Sequence, residues 1–266
     1  MPSVEEIGSH AIDGARGGPR EPLHATWLGR IDYRPAWDLQ RRLAAARAAD
    51  RISDQLLLLE HPAVLTLGRH ADESHVRATA GQLAARGIEL VRVERGGEVT
   101  YHGPGQLVAY PILRLDRRGL LLRPLVRALE AAMVATCAAF GVDAARRDGH
   151  PGCWCDPEGG EPRKIGALGL RVERGVTYHG IALNVDVQLQ DFELIDACGM
   201  PDVESTSIAR EAGRPEEGPS TDAVAEAARI FAGALAAELD APLVSATADP
   251  LAARAALERL LTATAA

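Results

Sequence analysis

Lysine is nearly absent from this chain. Lysine and arginine together number 29, and Lys164 is the only lysine. A desolvated ammonium can give up its proton whereas a guanidinium keeps its charge, so the retained lysine points to proton transfer; chance survival in an arginine-biased composition accounts for it equally well. Basic charge is in deficit overall. A formal net charge of -8 argues against a general nucleic-acid binder, which needs a basic face to displace counterions from phosphates. No apolar run approaches the roughly 20 residues of a membrane-spanning helix, and the opening segment lacks the basic and apolar regions of a signal peptide. A cytoplasmic protein without a membrane contact is therefore expected. Cysteine is also scarce: Cys137, Cys153, Cys155 and Cys198 make no disulfide framework, and in a reducing compartment they stay thiols.

Metal and nucleotide signatures are missing too. His70 and His75 stand five apart where helix-borne ligands stand four apart, and no cysteine or carboxylate set completes them, so they read as a solvated loop. Cys153 and Cys155 lack two further soft ligands nearby and read as packing on one strand face. No metal is expected. The glycines between positions 95 and 106 follow neither the phosphate-loop ending nor the dinucleotide spacing.

What is present is a length of 266 residues, suited to one large domain or two small ones. Residues 1–22 mix glycine, proline and charges of both signs without apolar periodicity, and read as a flexible leader. Residues 23–243 carry the patterned part. Strands are expected over 24–32, 54–60, 64–68, 88–93 and 107–113, and helices over 36–50, 79–86, 120–140 and 223–239. The run from Asp54 to Glu60 suits a strand buried on both faces. Leu121, Leu125, Leu129, Met133 and Phe140 are spaced as a core face of the third helix. Residues 165–173 and 176–185 form a hairpin across Arg174-Gly175. Residues 244–266 are an Ala-rich tail, expected to be loosely attached.

Two stretches repeat each other. Val99-Thr-Tyr-His-Gly103 returns as Val176-Thr-Tyr-His-Gly180, each close behind a Glu-Arg-Gly. One copy is explained by turn chemistry; two suggest paired walls of a site. Gly166 and Gly169 weaken a strand unless backbone must approach a ligand there. Cys198 differs from the other cysteines in standing before Gly199 on a loop, a setting that favours thiolate and nucleophilic use.

With Arg95-Gly-Gly97, Thr100 to Gln106, Tyr110-Pro111, Lys164-Ile-Gly166, His179-Gly180, Asn184 and Cys198-Gly199 in place, the chain resembles the lipoyl(octanoyl) transferases from about residue 24 to about residue 240. The resemblance implies an α/β (α+β) single domain, a mixed central β-sheet backed by helices, as in biotin and lipoyl protein ligases. It implies octanoyl transfer from octanoyl-acyl carrier protein to a lysine of apo lipoyl domains, those of 2-oxoacid dehydrogenase E2 subunits and the glycine cleavage H protein. It also implies no cofactor beyond the carrier's phosphopantetheine, and a monomer. Position by position, the nucleophile falls on Cys198 and its activating lysine on Lys164. The acyl-binding segments fall on Arg95, Gly96, Gly97, Glu98, Val99, Thr100, Tyr101 and His102, on Ala167, Leu168 and Gly169, and on His179, Gly180, Ile181 and Ala182. Cysteine at 153 and 155 departs from the family pattern. Leu168, Leu170 and Leu183 are expected as the closed end of the groove. Arg114, Arg117, Arg118, Arg123 and Arg127 are expected as a docking patch for an acidic carrier protein. An ATP-dependent lipoate- or biotin-protein ligase shares the fold and the lysine but needs no nucleophile, and a non-catalytic acyl-binding protein would keep only the groove.

Overall fold

The four leucines Leu56 to Leu59 sit at the middle of the molecule, buried and pointing alternately to two separate cores. A strand with helices on both faces needs such a run, because neither face meets water. The computed structural model describes residues 21–214, 218–246 and 249–264. The leader expected over 1–22 lies outside them except for Glu21 and Pro22. These two are tied down: Glu21 pairs with Arg47, and Arg118 donates to both carbonyls.

In chain order the elements are β1 (Leu23–Arg30), α1 (Tyr33–Ala48), β2 (Asp54–Glu60), β3 (Val64–Leu67), α2 (Ala80–Ala85), β4 (Glu89–Arg92), β5 (Val99–His102), β6 (Gln106–Ile112), α3 (Leu115–Arg118) and α4 (Leu122–Ala139). They continue as β7 (Ala145–Arg147), β8 (His150–Cys155), β9 (Arg163–Glu173), β10 (Val176–Asn184), β11 (Glu204–Ser205), α5 (Ile208–Glu211), α6 (Thr221–Glu238), β12 (Leu243–Ser245) and α7 (Pro250–Ala263). A nine-stranded mixed sheet runs β12-β1-β2-β6-β10-β9-β8-β7, with β11 pairing alongside β9, and a second sheet of three strands runs β4-β3-β5.

Helices α4 and α6 cover one face of the large sheet, packing Leu125, Leu129, Met133, Phe231 and Leu235 on Leu56, Leu107 and Leu183. Helices α1 and α7 cover the other, where Leu39, Leu43, Ala253 and Leu257 meet Leu57, Val108 and Val176. Leu121 does not join that core. It precedes α4 and is 74% exposed.

The C-terminal segment corrects the expectation of a loose tail, and the boundary at 243/244 falls inside a strand. β12 pairs in parallel with β1. α7 buries Ala253 and Leu257, Arg254 donates to the carbonyls of Leu28 and Arg30, and Glu258 forms a two-pronged pair with Arg42. The sparse apolar stripe of an Ala-rich helix suffices because small side chains let it lie close to the sheet.

Candidate active site

Between the two sheets lies a cavity of about 410 Å³. One wall is the β9/β10 hairpin. The other is the segment from Arg95 through β5, joined to the hairpin where Gly96 N–H donates to Leu170 O at 3.0 Å. Glycine at 169 makes this junction possible, since a Cβ there would stand 2.7 Å from Gly96 O. Gly166 is bare for another reason: a Cβ would meet Met133 Sδ at 2.7 Å. Both glycines therefore permit close packing within the protein, and Gly169 also lines the cavity.

Cys198 and Lys164 meet at this cavity, with Lys164 Nζ 3.5 Å from Cys198 Sγ. Cys198 is held at φ +58 and ψ 23, a left-handed conformation that costs energy for a residue with a side chain. Its loop is clamped from outside. Asp196 N–H donates to His75 O at 2.8 Å, Arg77 pairs with Asp196, and Val76 bridges Ile195. Gly199 lies against His75 and Glu98, which are 3.1 Å apart through Nδ1 and Oε2. His75 is thus part of the support of the Cys198 loop, which contradicts its reading as a solvated loop residue. Only the contact of distant segments shows this.

A buried chain of hydrogen bonds fixes the other side. His102 Nδ1 meets Gln106 Oε1 at 2.7 Å, Gln106 Nε2 donates to Asn184 Oδ1 at 2.9 Å, and Asn184 Nδ2 donates to Thr206 O at 2.8 Å. Thr206 N–H in turn donates to the Lys164 carbonyl at 3.0 Å.

Of the residues expected at the site, Arg95, Gly96, Gly97, Glu98, Val99, Thr100, His102, Ala167, Leu168, Gly169, His179, Gly180, Ile181 and Ala182 line the cavity together with Cys198 and Lys164. Tyr101 does not. Strand alternation turns it to the opposite face, where its hydroxyl donates to Asp191 at 2.8 Å. The Thr-Tyr-His-Gly echo is likewise only partly structural. His102 and His179 both face the cavity, but Tyr178 bonds Glu94 on the far side and Thr177 is sealed against Pro111. Leu183 belongs to the core under α4 and forms no part of the groove's end. Tyr33, Tyr110, Leu122, Val126, His150, Pro151 and Met200 line the cavity without having been expected. Of these, Tyr110 carried a sequence signal, as half of the Tyr-Pro pair.

Arg95 is buried and spends its guanidinium on Thr66 and Gly96 O, so it braces the wall. Burial pushes His61 down to about 4. Burial, with Arg95 and Arg171 nearby, pushes His179 down to about 3. Burial, with His61 beside it, holds His102 well below its usual value. All three are neutral at physiological pH, and since His102 and His179 line the cavity, neither ring brings it a charge that would repel an apolar guest. Stability should follow. Above pH 6.5 the unfolded histidines are neutral too. Between 6.5 and about 4 the unfolded chain takes up protons that the folded one refuses, so stability is lost as pH falls through that window. Denaturant midpoints measured across it should decline; a flat profile would contradict the burial of these rings.

Among the described residues no group of three or more His, Cys, Asp or Glu side chains is placed to hold a metal ion, and no helix is long and apolar enough to cross a membrane.

The lipoyl protein ligase A/B catalytic domain matches residues 32–229. An octanoyltransferase of Chloroflexus aggregans is 49% identical over 188 residues, 70% of this chain and 84% of that protein. An octanoyltransferase of Mycolicibacterium gilvum is 45% identical over 215 residues, 80% of this chain and 84% of the relative. Among solved structures, a bipartite lipoate protein ligase of Thermoplasma acidophilum superposes with a TM-score of 0.60 at 15% identity, covering 91% of this chain and 93% of the other. That likeness establishes the fold: a central mixed sheet backed by helices, as in lipoate protein ligases.

Proposed function

The chain belongs to the lipoyl protein ligase A/B catalytic-domain family and is an acyltransferase of the octanoyltransferase kind, and from that premise we propose a two-step mechanism through Cys198. Octanoyl arrives as a thioester on acyl carrier protein. The Cys198 thiolate attacks the thioester carbonyl, backbone N–H groups of the glycine-rich wall stabilise the oxyanion, and the carbon–sulfur bond to the carrier breaks. The Lys164 ammonium gives the departing pantetheine sulfur its proton. The lysine amine of an apo lipoyl domain then attacks the Cys198 thioester, Lys164 takes up the amine's proton, and an amide and a restored thiolate result. A thioester is already activated, so no ATP enters.

The observation that carries this reading is the 3.5 Å approach of Lys164 Nζ to Cys198 Sγ at an apolar cavity. The cavity's dimensions agree with it. From Ala182, which lines a small pocket together with Cys198 and Lys164, to His179 is three residues of β10, or about 10 Å at about 3.3 Å per residue. That distance suits an extended eight-carbon chain ending against Tyr33, Tyr110 and His179. Burying such a chain contributes about 5 kcal/mol. The test is intact mass after mixing with octanoyl-carrier protein and no ATP. An octanoyl adduct on Cys198, discharged by an apo lipoyl domain, is expected; failure to form it without ATP would point to an adenylating ligase.

The docking surface needs revision. Arg114 and Arg117 pair with Asp50, Arg118 with the buried Asp54, and Arg127 with Glu130. Paired with the exposed Asp50 or with the buried Asp54 and Glu130, these four have their charge largely offset within the protein. Reversing Arg118 would leave Asp54 facing a second buried carboxylate and destabilise the fold instead. Arg123 and Arg146 are exposed, each near cavity-lining residues, Leu122 and Gly149 respectively. Arg123→Glu with Arg146→Glu should slow transfer from carrier protein several-fold, more at low salt than at high. Transfer from a small octanoyl thioester should not change, and equal slowing of both donors would remove this surface from consideration.

A further inference from the structure

Lys164 approaches Cys198 across the indole of Trp154. The register of β8 on β9 pairs Cys153 with Gly166 and Trp154 with Lys164, one step on β8 against two on β9. Ile165 is therefore the extra residue of a bulge. Its consequence is a change of face. Ile165, Cys153 and Cys155 turn into the core with Met133, whereas Lys164 lines the cavity and the buried Trp154 ring packs beneath its ammonium.

The indole is rigidly placed. Trp154 is fully buried and its Nε1–H donates to His150 O at 3.0 Å. Lys164 Nζ stands 4.9 Å from the ring centroid, and the Arg147 guanidinium lies 5.1 Å from the same ring. Gly152 completes the seat, since a Cβ there would come within 3.0 Å of Lys164 Cε and 2.5 Å of Gly166 O. A four-carbon stem has many rotamers, and only some bring its ammonium to Cys198. A cation over an indole face gains attraction that grows when water is excluded, as it is here.

We propose that Trp154 is a positioning residue, its ring face holding the Lys164 ammonium within reach of Cys198 Sγ. The inference rests on the reading that Lys164 acts on Cys198, and its test does not depend on what the acyl donor is. Chloroacetamide alkylation of Cys198, followed by peptide mass, reads how well the ammonium supports the thiolate. The other three cysteines are buried and do not compete.

Trp154→Leu should slow alkylation about tenfold, and Trp154→Phe, which keeps a weaker ring face, should stay within about threefold of the parent. In a Lys164→Ala background neither substitution should slow it further, because the partner is gone. With a small octanoyl thioester, kcat should fall in parallel while KM stays unchanged. Equal losses for leucine and phenylalanine, or undiminished losses in the Lys164→Ala background, would overturn the proposal. Should Trp154→Leu not fold, Trp154→Phe crossed with Lys164→Ala carries the same comparison. If octanoyl transfer itself is misassigned, the alkylation cycle still gives its answer while the octanoyl thioester gives none.

Discussion

Lys164→Arg should fold, keep a positive charge at the site and fail to complete transfer to an amine. A guanidinium supplies field but does not give and take protons near neutral pH. The two roles assigned to Lys164 then separate: stabilising the thiolate survives in part, while protonating the leaving sulfur and accepting the amine's proton do not. Loss of general acid and base action amounts to a hundredfold or more, at about the lower end of the usual range. The seat adds a second obstacle. Nζ now stands between Trp154 and Cys198, and a planar fork does not fit a space shaped for a slim stem against Gly152. Intact mass with octanoyl-carrier protein, followed by apo lipoyl domain, checks this. Full turnover by the arginine variant would sink the proton-transfer role and leave the scarcity of lysine as chance.

Cys198→Ser should lose the acyl-enzyme altogether, with a fall in turnover of at least about a thousandfold. An alcohol is far less acidic than a thiol, and one ammonium 3.5 Å away does not make it a useful nucleophile. The other cysteines serve as controls. Cys137→Ser, Cys153→Ser and Cys155→Ser should each still be acylated, because those thiols are buried and two are held protonated. Contact with Cys137 and burial push Cys153 far up, and burial pushes Cys155 up to about 12. A persistent octanoyl mass on Cys198→Ser would require a different acceptor and a different mechanism.

Much of the fold was legible because its signals are local. The unbroken apolar run from Leu56 to Leu59 reports a strand buried on both faces, and the spacing of Leu125, Leu129 and Met133 reports one face of a helix. The lone lysine and the glycine-flanked cysteine were visible as residue types. The errors have one origin. Tyr101 sat inside a motif that otherwise lines the cavity, but side-chain alternation sent it to Asp191. Leu183 had the same hydrophobic character as Leu168 and Leu170, and only its neighbours put it in the core. Four arginines counted as surface charge had already found carboxylates. The tail had too few apolar residues to announce a docking face, yet two of them suffice against β1 and α1.

By itself, then, the sequence determined the succession of strands and helices, the chemistry available at Lys164 and Cys198, and the glycine-rich segments that wall the cavity. Tertiary structure alone decided that these two residues, far apart in the chain, stand 3.5 Å apart. It also decided that His75 braces the Cys198 loop, and that a one-residue bulge at Ile165 turns Lys164 onto Trp154. The reason is physical: periodicity and turn chemistry act over a few neighbouring residues, whereas register between strands and the pairing of buried charges are settled only when distant segments meet and exclude water.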